Sequence, residues 1–88
     1  MQLGEEVGTH IQVYPNPSSG KVFVELPAGQ AEGTSFEVYN ALGMRCAAQV
    51  ERTAVNVLEL DLSTFGNGLF LINIIRGDGV DTRRVIIE

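Results

Sequence analysis

From residue 11 onward, apolar side chains recur at every second position in short runs that glycine and proline cut apart. A period of two is the spacing of a β-strand with one face buried, and it excludes a helical core, which needs a period near 3.6. Residues 21–26 place Val22, Val24 and Leu26 on one face, and residues 35–39 do the same with Phe36 and Val38. Met44, Cys46, Ala48 and Val50 alternate with Arg45, Ala47, Gln49 and Glu51, which predicts one long half-buried strand. Leu58, Leu60 and Leu62 alternate with Glu59 and Asp61. Phe70, Ile72 and Ile74 oppose Leu69, Leu71 and Ile75, the pattern of a central strand covered on both faces. A short run at 11–14 and a closing one at 82–87 bring the expectation to about seven strands.

The interruptions carry turn chemistry. Residues 27–33 are too polar and too rich in glycine to continue a strand. Ala41-Leu42-Gly43 predicts a tight reversal, with Gly43 free to take positive φ. Gly77-Asp78-Gly79 predicts a hairpin. No segment holds a helical pattern over ten residues; residues 62–65 allow a single helical turn capped by Ser63. The expected fold is all-β, a seven-stranded antiparallel immunoglobulin-like β-sandwich, with a small barrel as the competing architecture. Residues 1–10 are polar and read as a linker or flexible N-terminus, leaving 11–88 as one domain.

Bulk properties remove several partners. A net charge of −5 argues against nucleic acid or anionic lipid as the main ligand, although Arg76, Arg83 and Arg84, half of the cations, fall in the last thirteen residues. One cysteine, Cys46, allows no internal disulfide. No apolar stretch approaches the ~20 residues of a membrane-spanning helix. The first residues lack the basic start and apolar core of a signal peptide, which would belong further upstream in a longer chain.

Reactive chemistry is sparse. His10, the sole histidine, lies in the expected linker, away from any rigid base–nucleophile pair. Cys46 shares parity with Met44 and Val50 and reads as a buried thiol. Gly20-Lys21 lacks the first glycine and the Ser/Thr of a phosphate loop. Asp78 and Asp81 offer too few oxygens for calcium. Glu37, Glu51, Glu59 and Asp61 alternate with apolar residues as solvated strand faces do, not as opposed acids in a cleft. Asn16 is followed by proline and is no N-glycosylation acceptor. No catalytic residue, cofactor or metal is expected.

Two stretches retain functional weight. In Pro15-Asn16-Pro17-Ser18-Ser19-Gly20 each proline fixes φ and biases its predecessor to extended geometry, giving either a rigid turn or a preformed recognition loop. The closing strand carries Arg83, Arg84, Val85, Ile86, Ile87 and Glu88. It reads either as an ordinary charged edge strand or as an edge that a receptor extends by strand addition. An exposed edge of this kind also predicts edge-to-edge homodimers.

Four motifs in order then carry a resemblance. Tyr14-Pro15-Asn16-Pro17 with Gly20, Val38-Tyr39-Asn40 with Gly43, Leu60-Asp61-Leu62-Ser63 leading to Gly68, and the basic-apolar final strand together resemble the C-terminal sorting domain of the type IX secretion system, found in bacteria of the Bacteroidetes group. The resemblance spans residues 11–88. It implies a non-catalytic sorting signal carried behind an N-terminal cargo domain, in the periplasm in transit and then at the cell surface or secreted. The implied partners are the type IX translocon, outer-membrane shuttle components, and a sortase-like cysteine peptidase that removes the domain by a cut at or before residues 4–9. Its implied recognition residues are Pro15, Asn16, Pro17, Gly20, Tyr39, Asn40, Gly43, Gly68 and the terminal six. The chain departs from the family where Phe70 replaces a frequent tyrosine and where Arg83 and Arg84 replace lysines. An adhesion or carbohydrate-binding sandwich is the alternative, with Tyr14, Phe23 and Tyr39 as its available rings.

Overall fold

The computed structural model describes residues 11–27, 32–77 and 79–88. The expected linker with His10, part of the loop at 27–33, and Asp78 lie outside the described residues.

The alternation read from the sequence builds two four-stranded antiparallel sheets. Their strands, in chain order, are β1 (Gln12–Tyr14), β2 (Lys21–Glu25), β3 (Ser35–Asn40), β4 (Arg45–Cys46), β5 (Gln49–Ala54), β6 (Val57–Asp61), β7 (Gly68–Arg76) and β8 (Gly79–Ile87). The first sheet has the order β1-β2-β6-β5 and the second β4-β3-β7-β8. This is the immunoglobulin-type arrangement with one added short strand beside the third, so the sandwich stands and the barrel does not.

The inward residues of both sheets meet in one core. Val22, Val24, Leu58 and Leu60 come from the first sheet, and Val38, Phe70, Ile72, Ile74, Val85 and Ile87 from the second. Ile11, Leu26 and Leu62, just outside strands, close its ends. Cys46 is buried as a free thiol, as its parity predicted.

Three local expectations are corrected. Residues 44–50 do not form one strand. The chain leaves the second sheet after Cys46, passes through Ala47 and Ala48, and joins the first at Gln49. Val50 keeps the parity of the inward Leu60 with which it pairs, so alternation alone cannot mark the break, but of the expected buried face only Cys46 is buried, Met44 and Val50 being 58% and 46% exposed; eight strands result, not seven. Second, β7 is central, between β3 and β8, yet only its Phe70–Ile72–Ile74 face is fully buried; on the other, Ile75 is half-buried and Leu69 and Leu71 are 36% and 38% exposed. Third, the 3-10 turn at Ser63–Phe65 is not capped by Ser63. Asp61 Oδ1 accepts both the Ser63 N–H (2.9 Å) and the Ser63 hydroxyl (2.6 Å), so the carboxylate two residues earlier organises the turn.

Candidate functional site

The proline-bracketed turn and the closing strand, 68–70 residues apart in sequence, are in direct contact. Asn16 Nδ2 donates to the Arg84 carbonyl and Asn16 Oδ1 accepts the Ile86 N–H, both at 3.0 Å. One side-chain amide thus satisfies a donor and an acceptor of the strand margin, as a neighbouring backbone would. Ser18 continues the pairing with backbone: its N–H donates to the Ile86 carbonyl and its carbonyl accepts the Glu88 N–H, each at 2.8 Å. Ser18 and Ile87 form a parallel bridge. The peptide bonds preceding Pro15 and Pro17 are both cis.

The turn is itself tied down. The buried Ser18 hydroxyl donates to the Lys21 carbonyl at 2.6 Å and accepts the Gly20 N–H at 3.1 Å. The Gly20 carbonyl accepts the Leu62 N–H at 2.8 Å. Gly20 sits at φ 152°, and a Cβ there would stand 3.0 Å from the Ser63 Cβ, so the close approach of two segments demands glycine. Asp61, which holds Ser63 in place, is kept below the usual carboxylate range chiefly by the Ser63 hydroxyl and then by the Ser63 N–H. Two of the sequence motifs, one around Pro15–Gly20 and one around Leu60–Ser63, therefore form a single junction.

This junction corrects the expectation of an open terminal edge. Alternate residues of a β-strand point their backbone groups to the same margin. The outward groups from the Arg84 carbonyl onward are taken by Asn16 and Ser18, so only the part of β8 before that carbonyl keeps an open margin for strand addition or edge-to-edge pairing.

The motif around Tyr39 and Asn40 is also architectural. Asn40 Oδ1 accepts the Leu42 and Met44 N–H groups at 3.0 and 2.9 Å, and Gly43, at φ 84°, lets the chain reverse into β4. Gly68 opens β7 opposite Ile87. Tyr39 projects from the outer face of the second sheet, where its hydroxyl donates to Glu37 at 3.1 Å.

Arg83 and Arg84, adjacent in sequence, part company. Arg83 pairs with Ile72 and shares the inward parity of Val85, while Arg84 pairs with Leu71 on the outer face. Sequence reasoning thus grouped two cations that strand geometry assigns to opposite sides. It also passed over Arg45, Leu69 and Leu71, which share the outer face with Tyr39, Arg84 and Ile86. Their signal was present: once residues 69–75 form a strand with one buried face, its odd positions turn outward, with Leu69 and Leu71 exposed and Asn73 and Ile75 half-buried. An open cavity of about 520 Å³ lies there, lined by Asn16, Leu69, Arg84 and Ile86.

The other sheet has a different outer surface. Tyr14 and Phe23 stack with ring centroids 5.9 Å apart, and desolvation, with Glu25 nearby, raises the Tyr14 hydroxyl above its ordinary pKa. Glu51 faces Glu59, and Lys21 reaches Glu59 at 3.4 Å. Among the described residues no group of three or more acids, histidines or cysteines could hold a metal ion, and no helix is long and apolar enough to cross a membrane.

Comparison with known proteins adds one finding. The family model described as the secretion system C-terminal sorting domain matches residues 12–88. No curated protein matches the chain.

Proposed function

The chain belongs to the family of type IX secretion system C-terminal sorting domains, and from that membership we propose that residues 11–88 act as a folded address that the export machinery reads from its surface. The family's role is that of a sorting signal for type IX secretion, generally non-catalytic. Such a signal implies interaction with the secretion machinery and export to the cell surface or the medium.

The finer steps are our reading. The cargo precedes the domain in the same polypeptide, joined through the polar stretch at residues 1–10. The folded domain crosses the periplasm, engages the translocon and its outer-membrane shuttle, and carries the cargo outward. A sortase-like cysteine peptidase then cuts within or before residues 4–9, where a polar linker can enter a protease cleft. The recognition residues are proposed to lie along the outward side chains of β7 and β8 beside the Asn16 turn. Pro15, Pro17, Gly20, Asn40 and Gly43 serve by fixing that surface.

One observation carries this reading. The Asn16 and Ser18 bonds to β8 join the first motif of the family to the last, so the motifs describe a single object rather than separate tags. The test is fusion of residues 11–88 behind a periplasmic reporter in a type IX-competent bacterium. Export of the reporter is expected, and removal of residues 82–88 should abolish it by stripping β7 of its partner. A wild-type fusion that stays in the periplasm would refute the reading.

A further inference from the structure

The chain has six lysines and arginines, all among the described residues. Lys21, Arg52 and Arg76 form ion pairs with Glu59, Glu32 and Asp81, and Arg83 donates to the Thr82 carbonyl. The side chains of Arg45 and Arg84 have no hydrogen bond or ion pair with any described residue. These two lie in one row. The register places Arg45 opposite Tyr39, Tyr39 opposite Leu71, and Leu71 opposite Arg84, so the row crosses all four strands of the second sheet on its outer face.

Three inter-strand spacings separate the two arginines, about 14 Å at ~4.8 Å each. Between them lie an aromatic ring and an exposed leucine. In the adjacent row Leu69 faces Ile86, itself 45% exposed. A second open cavity, of about 200 Å³, shares Leu69 with the first and extends the apolar surface to Leu42, which is 83% exposed. In a chain of net charge −5, this apolar surface is bounded by two guanidinium groups that no described acid pairs, with the Glu37 carboxylate beside it held by the Tyr39 hydroxyl, and it is complementary to a partner that is apolar at its centre and acidic on both sides.

We propose that the outer face of the β4-β3-β7-β8 sheet docks an acidic, apolar-centred protein segment of the export machinery, with one carboxylate on Arg45 and another on Arg84. An extended segment rises about 3.3 Å per residue, so carboxylates four positions apart match the distance between the arginines. The apolar side chain midway between them covers Tyr39 and Leu71. Guanidinium suits this task, since its planar fork holds a carboxylate by two parallel bonds. The inference deepens the sorting reading and rests on it, for it names the surface the machinery reads and the chemistry that reads it.

The test has two arms. In the first, the isotopically labelled chain is titrated with the peptide Glu-Ser-Leu-Ser-Glu and followed by amide NMR. Millimolar binding is expected, with shifts centred on Tyr39, Leu71 and Arg84. Affinity should fall about three- to tenfold with Gln-Ser-Leu-Ser-Gln or in R45Q/R84Q, the range for two exposed ion pairs. Equal response to both peptides, or shifts centred on the Tyr14–Phe23 face, would overturn the proposal. So would stronger shifts of the same face on vesicles of anionic phospholipid, which would assign the surface to a membrane. In the second arm, export of the reporter fusion is compared for wild type, R45Q/R84Q, Leu71→Thr and the control R52Q. Loss in R45Q/R84Q and Leu71→Thr with R52Q unaffected supports the face. Export of R45Q/R84Q and Leu71→Thr at the wild-type rate overturns it and leaves the sorting reading standing, whereas failure of the wild-type fusion sinks the sorting reading itself.

Discussion

Replacing Asn16 by alanine removes both side-chain bonds that hold the turn to β8, each 3.0 Å long. The site is exposed, so water can reach the Arg84 carbonyl and the Ile86 N–H once the amide is gone, and neither becomes a buried orphan. Each bond then falls in the lower part of the usual net range, and the pair is worth about 1–2 kcal/mol. For a domain of this size that corresponds to a fall in Tm of about 5–15 °C. The Ser18 bonds to Ile86 and Glu88 remain, so the turn is loosened rather than released. Native-state amide exchange reads the same event locally: the Ile86 amide should lose protection in Asn16→Ala while amides paired between β3 and β7 keep theirs. Asn16→Asp is the informative companion, because its carboxylate still accepts from Ile86 but cannot donate to Arg84. It should keep Ile86 protected, while its second oxygen, set against the Arg84 carbonyl, should still lower Tm relative to wild type. A Tm change below about 2 °C in Asn16→Ala, with Ile86 exchange unaltered, would refute the claim that this amide fastens the strand.

Gly20→Ala should cost about 1–3 kcal/mol, because the new Cβ meets Ser63 at 3.0 Å and the backbone conformation is unfavourable for L-residues. Gly77→Ala, with nothing within 4 Å, should stay within about 0.5 kcal/mol of wild type by urea denaturation; equal costs would show that the close approach is unimportant. Phe70→Ala should lose about 3–5 kcal/mol, since the ring is 2% exposed at the centre of the core; a smaller loss would mean that the core collapses around the gap. Asp61 has a folded pKa below its ordinary value of 3.8, so its contribution is complete above that value and is lost as pH falls through the lowered one. Asp61→Asn should therefore lose less Tm than wild type on going from neutral pH into the acid range, and identical acid slopes would contradict the assignment.

The inward faces of β2, β3, β6 and β7 could be read in advance because burial on one side leaves its period in the sequence. Two features could not. The crossing at Ala47 and Ala48 preserves alternation while changing sheets, and nothing local distinguishes that from a continuous strand. The union of Asn16 with Arg84 and Ile86 depends on residues that only the assembled sandwich brings together. The site was partly visible for the same reason. Turn residues such as Gly20, Asn40 and Gly43 announce themselves by their local conformational demands. The Arg45–Tyr39–Leu71–Arg84 row exists only after three strand registers are set. Sequence adjacency even misled, by coupling Arg83 to Arg84.

The fastening of residues 16–18 to β8 also bears on how the molecule comes into being. Contacts nearly seventy positions apart close late, because most of the intervening chain must be ordered before they repay the entropy of joining them. Early in that process the margin of β8 is bare and available to proteases and to other nascent chains. Completion is then a two-ended event, sealed only when the opening turn finds the last strand, and a receptor that depends on the sealed form would by that dependence pass over unfinished molecules.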